Sequence, residues 1–390
     1  MSLYIDIHAL QTLPPNNINR DDTGSPKTAT FGGVPRQRVS SQAWKRAIRR
    51  DFEQHLDPDQ LGVRTKRVVE RIARRVVELQ GTPEANVQDE SQRAALAEAA
   101  GRVESLLKSA GFKPEKPKAK AKKDATAEEQ LEALFAEAGY LMFLSEKQIT
   151  AAAEAIIATP DGPWNKKAAA VLLDDAHSVD IAMFGRMLAD APDFNVDASV
   201  QVAHAIGVSA SEPEFDYFTA VDDVREDVEE SGAGMIGTVT FTSSTLYRYA
   251  NVNVEALTQN LGSEEAALRA VQAFVTAFIR SMPTGKQNTF ANTTLPDVVV
   301  VAVREDRPVS WVNGFEEPVP NEVDGGRRRE AAARLAAEAT ALESMYGAPA
   351  RRTWVMALPA LADAMEAVGP LVDQQTMLGQ LEAELGGANA

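Results

Sequence analysis

Leu3-Tyr4-Ile5-Asp6-Ile7-His8-Ala9 sets Leu3, Ile5 and Ile7 against Tyr4, Asp6 and His8. That period of two predicts a half-buried β-strand. A long loop follows, and then Ser40-Ser41-Gln42-Ala43-Trp44-Lys45-Arg46-Ala47-Ile48-Arg49-Arg50. Its apolar residues recur at helical spacing, so the chain opens as the βα start of a sheet domain. Further strand signals lie at 179–187, 200–208 and 238–254, and residues 298–303 read as one fully buried strand. Helical periodicity covers 264–281 and 327–346.

Strands and helices thus alternate around large inserts, which predicts an α+β sheet domain of the ferredoxin or RNA-recognition-motif type. Residues 59–178 change character: Ala, Glu, Arg and Leu dominate, with periodic apolar positions at Val68, Val69, Ile72, Val76 and Leu79, so an inserted helical unit is expected there. Inside it, Lys113-Pro114-Glu115-Lys116-Pro117-Lys118-Ala119-Lys120-Ala121-Lys122-Lys123 has too little apolar content to order itself. It reads either as a solvated tether or as a non-specific contact to a passing nucleic-acid strand. The acidic stretch 212–230, followed by the β run from Thr238, predicts a long protruding hairpin.

The chain has 390 residues, 44% of them hydrophobic, and no cysteine. It can bury a large core of two or three structural units, and disulfides and thiolate metal sites are excluded. No basic segment precedes an apolar run at the N-terminus, and the longest apolar stretch is too short to span a membrane. A soluble cytoplasmic protein with no membrane partner is the expectation.

Charge is unevenly spread. Residues 1–50 carry eight Lys or Arg (Arg20, Lys27, Arg36, Arg38, Lys45, Arg46, Arg49, Arg50) against three Asp, in a chain of net charge −16. Binding follows local potential, so such a patch survives an acidic average. Ser40 or Ser41 is the expected helix N-cap, which would aim free amides and the positive helix end at the preceding loop. At about 100° per residue, Gln42, Lys45, Arg46 and Arg49 share one face, opposite Trp44, Ala47 and Ile48. An ordinary solvated amphipathic helix has this pattern too. The cap, the Phe31-Gly32-Gly33 turn and the absence of acids from Phe31 to Arg50 favour a polyanion site.

Other chemistry has weaker support. Gly232-Ala233-Gly234-Met235-Ile236-Gly237 matches a dinucleotide fingerprint, but it follows an acidic segment and precedes a β run, so hairpin glycines explain it better. His8, His55, His177 and His204 have no ligand-like spacing and read as structural. Asp21-Asp22, Asp174-Asp175 and Asp222-Asp223 are possible Mg²⁺ carboxylates, although adjacent residues rarely face one ion. No cofactor or metal is expected. Tyr217 and Phe218, after Pro213, either fold back on the domain or insert beside nucleotides, which tolerates any base.

Ile5-Asp6-Ile7-His8-Ala9, Asn19-Arg20-Asp21-Asp22, Phe31-Gly32-Gly33 and Ser40-Ser41-Gln42 with Lys45-Arg46 resemble the N-terminal signature of the CasC family, the repeated backbone subunit of the type I-E CRISPR complex Cascade. Asp180-Ile181-Ala182, Gly185-Arg186-Met187, Ala203-His204-Ala205-Ile206, Phe218-Thr219-Ala220-Val221-Asp222-Asp223, Tyr247-Arg248-Tyr249-Ala250-Asn251, and Asn313 with Phe315-Glu316 continue the match in order. The resemblance implies a palm of RNA-recognition type (1–58, 179–208 and 237–390), a helical fingers insertion (59–178) and a β-hairpin thumb (209–236). It implies a non-catalytic scaffold that polymerises head to tail along crRNA and presents it to a target DNA strand beside other Cascade subunits. The RNA-binding residues it implies are Asn19, Arg20, Lys27, Ser40, Gln42, Lys45, Arg46 and Arg49 in the groove, with Met187, Tyr217, Phe218, Thr219, Val221 and Ile236 at the thumb. Tyr217 departs from the family's usual tryptophan. The competing class is an Mg²⁺-dependent ribonuclease, as in distantly related type III backbone subunits.

Overall fold

The computed structural model describes residues 3–82, 89–116, 133–159, 163–188, 191–220 and 235–387. Strands β1 (Tyr4–Asn16), β2 (Thr28–Phe31) and β3 (Val34–Val39) lead into helix α1 (Ser41–His55). Next come β4 (Gly62–Thr65), α2 (Val68–Leu79), α3 (Glu90–Ala110), β5 (Met142–Ser145), α4 (Glu146–Ala158), α5 (Lys166–Asp174) and α6 (Val179–Phe184). The chain then forms β6 (Val200–Val202), β7 (Ala205–Gly207), β8 (Glu214–Ala220), β9 (Met235–Asn253), α7 (Val254–Leu261), α8 (Glu264–Arg280) and α9 (Gln287–Phe290). It closes with β10 (Val298–Arg304), α10 (Arg327–Tyr346), β11 (Arg352–Ala357), α11 (Ala362–Met365) and α12 (Gln374–Gly387).

Two compact units make up the chain. The first comprises Met1–Gln54, Val200–Glu255 and Ala267–Ala390; the second comprises His55–Ser199 and Ala256–Ala266. In the first unit the strand order is β11-β10-β1-β9-β7-β3-β2, with β6 and β8 also paired to β9. Omitting the edge strands leaves β10-β1-β9 and the β6/β7 pair, connected as β1–α1–β6/β7–β9–α8–β10. That is the βαββαβ order of a ferredoxin or RNA-recognition sheet, so the α+β expectation holds. The second unit interrupts this order between α1 and β6, and the β8–β9 hairpin interrupts it between β7 and β9.

Strand β1 is not half-buried. Asp6 and His8 are fully buried along with Ile5 and Ile7, because both sheet faces are covered. On one face Arg248 lies between the Trp44 ring of α1 and the Phe278 ring of α8, at 3.7 and 4.3 Å from their centroids. It also donates to Gln11 Oε1 at 2.7 Å and to the Phe278 carbonyl. On the other face Leu10, Tyr247, Val298, Val300, Trp311, Phe315 and the Ala331–Leu335 side of α10 form a cluster. Asp6 and His8 both find partners there. Asp6 accepts from Tyr249 Oη (2.8 Å), Arg304 Nε (3.0 Å) and the Val309 amide (2.9 Å). His8 stacks on Trp311 at 3.6 Å and bonds Tyr247 Oη at 2.9 Å.

The second unit has its own core, formed by α2, α3, α4, α5 and the short β4–β5 ladder around Ile72, Val76, Leu106, Leu107, Leu144 and Ile156. Two sequence expectations change here. The strand expected at 179–187 is helix α6, whose residues Val179 to Met183 are buried on all sides; a short apolar run does not distinguish strand from buried helix. Gly185, at φ +77, ends it, and a Cβ there would stand 2.8 Å from the Val196 carbonyl. Residues 179–199 therefore belong to the helical unit rather than to the sheet.

Candidate nucleic-acid interface

Helix α1 is positioned by its own cap. The Ser40 hydroxyl accepts from the Ala43 amide at 3.3 Å, and the Ser40 amide donates to Asn19 Oδ1 at 2.8 Å. The Asn19 carbonyl in turn accepts from the Lys27 amide at 2.8 Å, and the Lys27 carbonyl from the Arg38 amide. Asn19, Lys27 and Ser40 are thus drawn together at the positive end of a 15-residue helix, with Gln42 exposed in its first turn.

Along α1 the cations separate onto two flanks. Arg46 and Arg50 line an open cleft of about 910 Å³ together with Asn19, Arg20 and the 281–286 loop, which adds Lys286. Lys45 and Arg49 lie towards the opposite flank, where partial burial lowers the Lys45 pKa. Asp21, Asp22 and Asp51 also line the cleft. Asp21 serves its own loop: Oδ1 accepts from the Thr23 amide and hydroxyl and from the Ser25 amide, at 2.7 to 3.0 Å. Those bonds, the Thr23 hydroxyl first, hold its pKa down.

The far wall depends on a close approach. A Cβ on Gly285 would lie 2.3 Å from the Ile18 carbonyl, so only glycine lets the loop reach Ile18. Lys286 follows in the left-handed region at φ +52, a conformation that concentrates at functional sites. The Ser281 hydroxyl on this wall is buried without a hydrogen-bond partner among the described residues. Sequence reasoning missed Arg50, Ser281 and Lys286 as site residues; the Pro-Thr-Gly-Lys run after α8 is the one signal that marked the loop.

A second cationic group sits beside the helix start. Arg38 Nη1 is 3.1 Å from His204 Nδ1. Desolvation, then the charges of Arg38 and Lys27, lower the His204 pKa. Arg36, by contrast, does not belong to the patch. Its buried guanidinium donates to the carbonyls of Gly207, Val208, Phe315 and Glu316 at 2.9 to 3.1 Å. The Gly32-Gly33 turn closes the β2–β3 hairpin with both residues at positive φ, as a two-residue hairpin demands; it does not line the cleft.

Tyr217, Phe218 and Thr219 lie on β8, paired with Thr238, Gly237 and Ile236 of β9. Tyr217 is 64% exposed. Phe218 is 36% exposed, and its ring covers Gly237 so closely that a Cβ there would stand 2.4 Å from it. Val221, Asp222-Asp223, Gly232 to Gly234 and Lys118 to Lys123 lie outside the described residues, as does the Ile236 side chain. Met187 belongs to the second unit and is 84% exposed. It follows Arg186, which is buried and donates to the carbonyls of Phe194, Phe143 and Leu173. Among the described residues no group of three or more His, Cys, Asp or Glu could hold a metal ion, and no helix is long and apolar enough to cross a membrane.

A family model described as CT1975-like protein matches residues 5–383. A solved chain titled "CRISPR RNA-guided surveillance complex, pre-nicking" is 35% identical at a TM-score of 0.80, over 99% of this chain and 100% of that one. Another, titled "CRISPR RNA-guided surveillance complex", is 29% identical at a TM-score of 0.60, over 99% of both. No curated protein matches.

Proposed function

The chain belongs to the family of CT1975-like proteins, and from that premise we propose that it is the repeated, non-catalytic crRNA-binding backbone subunit of a type I-E Cascade, the CasC role. The observation that carries this reading is the convergence of Asn19, Arg20, Lys27, Ser40, Gln42 and Arg46 on one helix end and its cleft. Beside Asp21, Asp22 and Asp51, such an interface offers cations, amides and hydroxyls; contacts of that kind to phosphates carry no sequence information, which suits a guide whose sequence varies. Base pairing then reads the target DNA strand. Lys45 and Arg49 extend the grip on the other flank of α1. The β8–β9 hairpin, through Tyr217, Phe218, Thr219, Val221 and Ile236, with Met187, interrupts pairing at intervals. Copies join head to tail through heterologous contacts and meet other Cascade subunits in the cytoplasm.

Charge reversal tests the site and separates the two flanks. Arg20→Glu with Arg46→Glu should abolish co-purification with RNA and move the chain from a large ribonucleoprotein to free protein on size exclusion. Lys45→Glu with Arg49→Glu should do the same if both flanks grip. A cleft double variant that retains RNA at ordinary salt contradicts the assignment. Labelled guide RNA incubated with the protein and Mg²⁺ should remain intact.

A further inference from the structure

The hairpin carries two aromatic faces of different character. Successive residues of β8 point to opposite sides, so Phe215, Tyr217 and Thr219 share one face while Glu214, Asp216 and Phe218 share the other. Cross-strand partners fall on the same face, which adds Thr240 opposite Phe215 and Thr238 opposite Tyr217. The Phe215 face thus holds two aromatics and three threonines and carries none of the carboxylates of β8. Phe215 is 73% exposed and Tyr217 64% exposed. On the reverse face Phe218 lies against Gly237, and Phe241 meets Phe290 with ring centroids 5.7 Å apart, so that side is partly packed.

Two rings carried two residues apart on a strand stand about 6.8 Å apart, at about 3.4 Å per residue. Nucleic-acid bases stack at about 3.4 Å. One base between the rings would therefore contact both. We propose that Phe215 and Tyr217 form a clamp that holds a single nucleobase of a single-stranded nucleic acid, with Phe218 bracing the hairpin from behind. The clamp rests on the RNA-binding reading above but adds a residue and a geometry to it. Segregation of Glu214 and Asp216 to the reverse face fits a polyanionic partner, because phosphates approaching the clamp meet hydroxyls and rings instead of carboxylates.

The full chain is titrated with short single-stranded RNAs carrying 2-aminopurine at successive positions. Phe215→Ala should weaken binding about tenfold, in line with the loss of one base–aromatic stack, and should restore emission at the position that the unaltered chain quenches. Phe215→Trp should retain affinity and quenching; Phe215→Leu, apolar but not aromatic, should retain neither. Unchanged affinity and emission in Phe215→Ala, while the unaltered chain still binds RNA, overturns the clamp and leaves the RNA-binding reading standing. Failure of the unaltered chain to bind RNA removes that reading first. Loss of self-association in Phe215→Ala without RNA would make the face a protein contact and overturn the clamp.

Discussion

Asp6 ties β1 to three other segments: it bonds Tyr249 of β9, Arg304 of β10 and the backbone at Val309. Burial lifts its pKa to about 6, against the pull of these partners. Arg304 is equally buried and keeps Glu343 and the Ala348 carbonyl as partners, so removing the carboxylate leaves its Nε, the Tyr249 hydroxyl and the Val309 amide without their acceptor. Asp6→Ala should lose about 3–5 kcal/mol of unfolding free energy in a denaturant titration. His204 offers a test at the site itself. Desolvation and the nearby Arg38 and Lys27 lower its pKa, so its NMR titration midpoint should fall below the ordinary histidine value. Phosphates beside the two cations would relieve that repulsion and raise the midpoint. Binding that raises a pKa takes up protons, so this contribution is full below the free value and fades as pH rises through the bound one. A midpoint unmoved by RNA would place the strand elsewhere. At this scale the sequence was only partly legible. Alternation at Ile5 and Ile7 marked the strand, but nothing local indicates that Asp6 and His8 are covered by segments from the far end of the chain or that Arg36 points inward.

At the scale of elements, α1 combines a buried stripe, Trp44, Ile48 and Phe52, with two cationic flanks. Composition and helical period revealed the cations, but the partner of each flank is set by distant loops. Arg46 was legible, whereas Arg50 and Lys286 were not, because the 281–286 loop meets α1 only through the tertiary fold. Gly285 links these levels. Gly285→Ala puts a Cβ against the Ile18 carbonyl, so the loop must move while the sheet remains. The expected outcome is weaker RNA binding by about tenfold with little change in thermal midpoint; a loss of both in proportion would make Gly285 merely structural. Gly32 behaves differently, since its Cβ would fall 1.6 Å from the Glu316 carbonyl at positive φ. Gly32→Ala should lower soluble yield and melting temperature together. The hairpin was expected from the acidic stretch and the following β run, yet only register shows that Tyr217 and Phe218 point to opposite sides.

The whole molecule is a βαββαβ sheet interrupted twice, once by a helical unit and once by a hairpin. The alternation of strand and helix signals made that architecture readable, and the buried run at 298–303 located its inner strand. The inner boundary was less readable, because 179–199 mixes apolar and turn residues and joins the helical unit through bonds such as that from Arg186 to the Phe143 carbonyl. The proposed function requires the α1 surface to grip the RNA backbone without reading its sequence. Measuring affinity for several single-stranded RNAs of one length and unrelated sequence, across a range of salt, tests it most directly. Nearly equal affinities are expected, with a logarithmic salt slope that falls by about 0.7 for each phosphate contact removed, as in Arg20→Glu or Arg46→Glu. Strong sequence preference, or a slope that these variants leave unchanged, would contradict it.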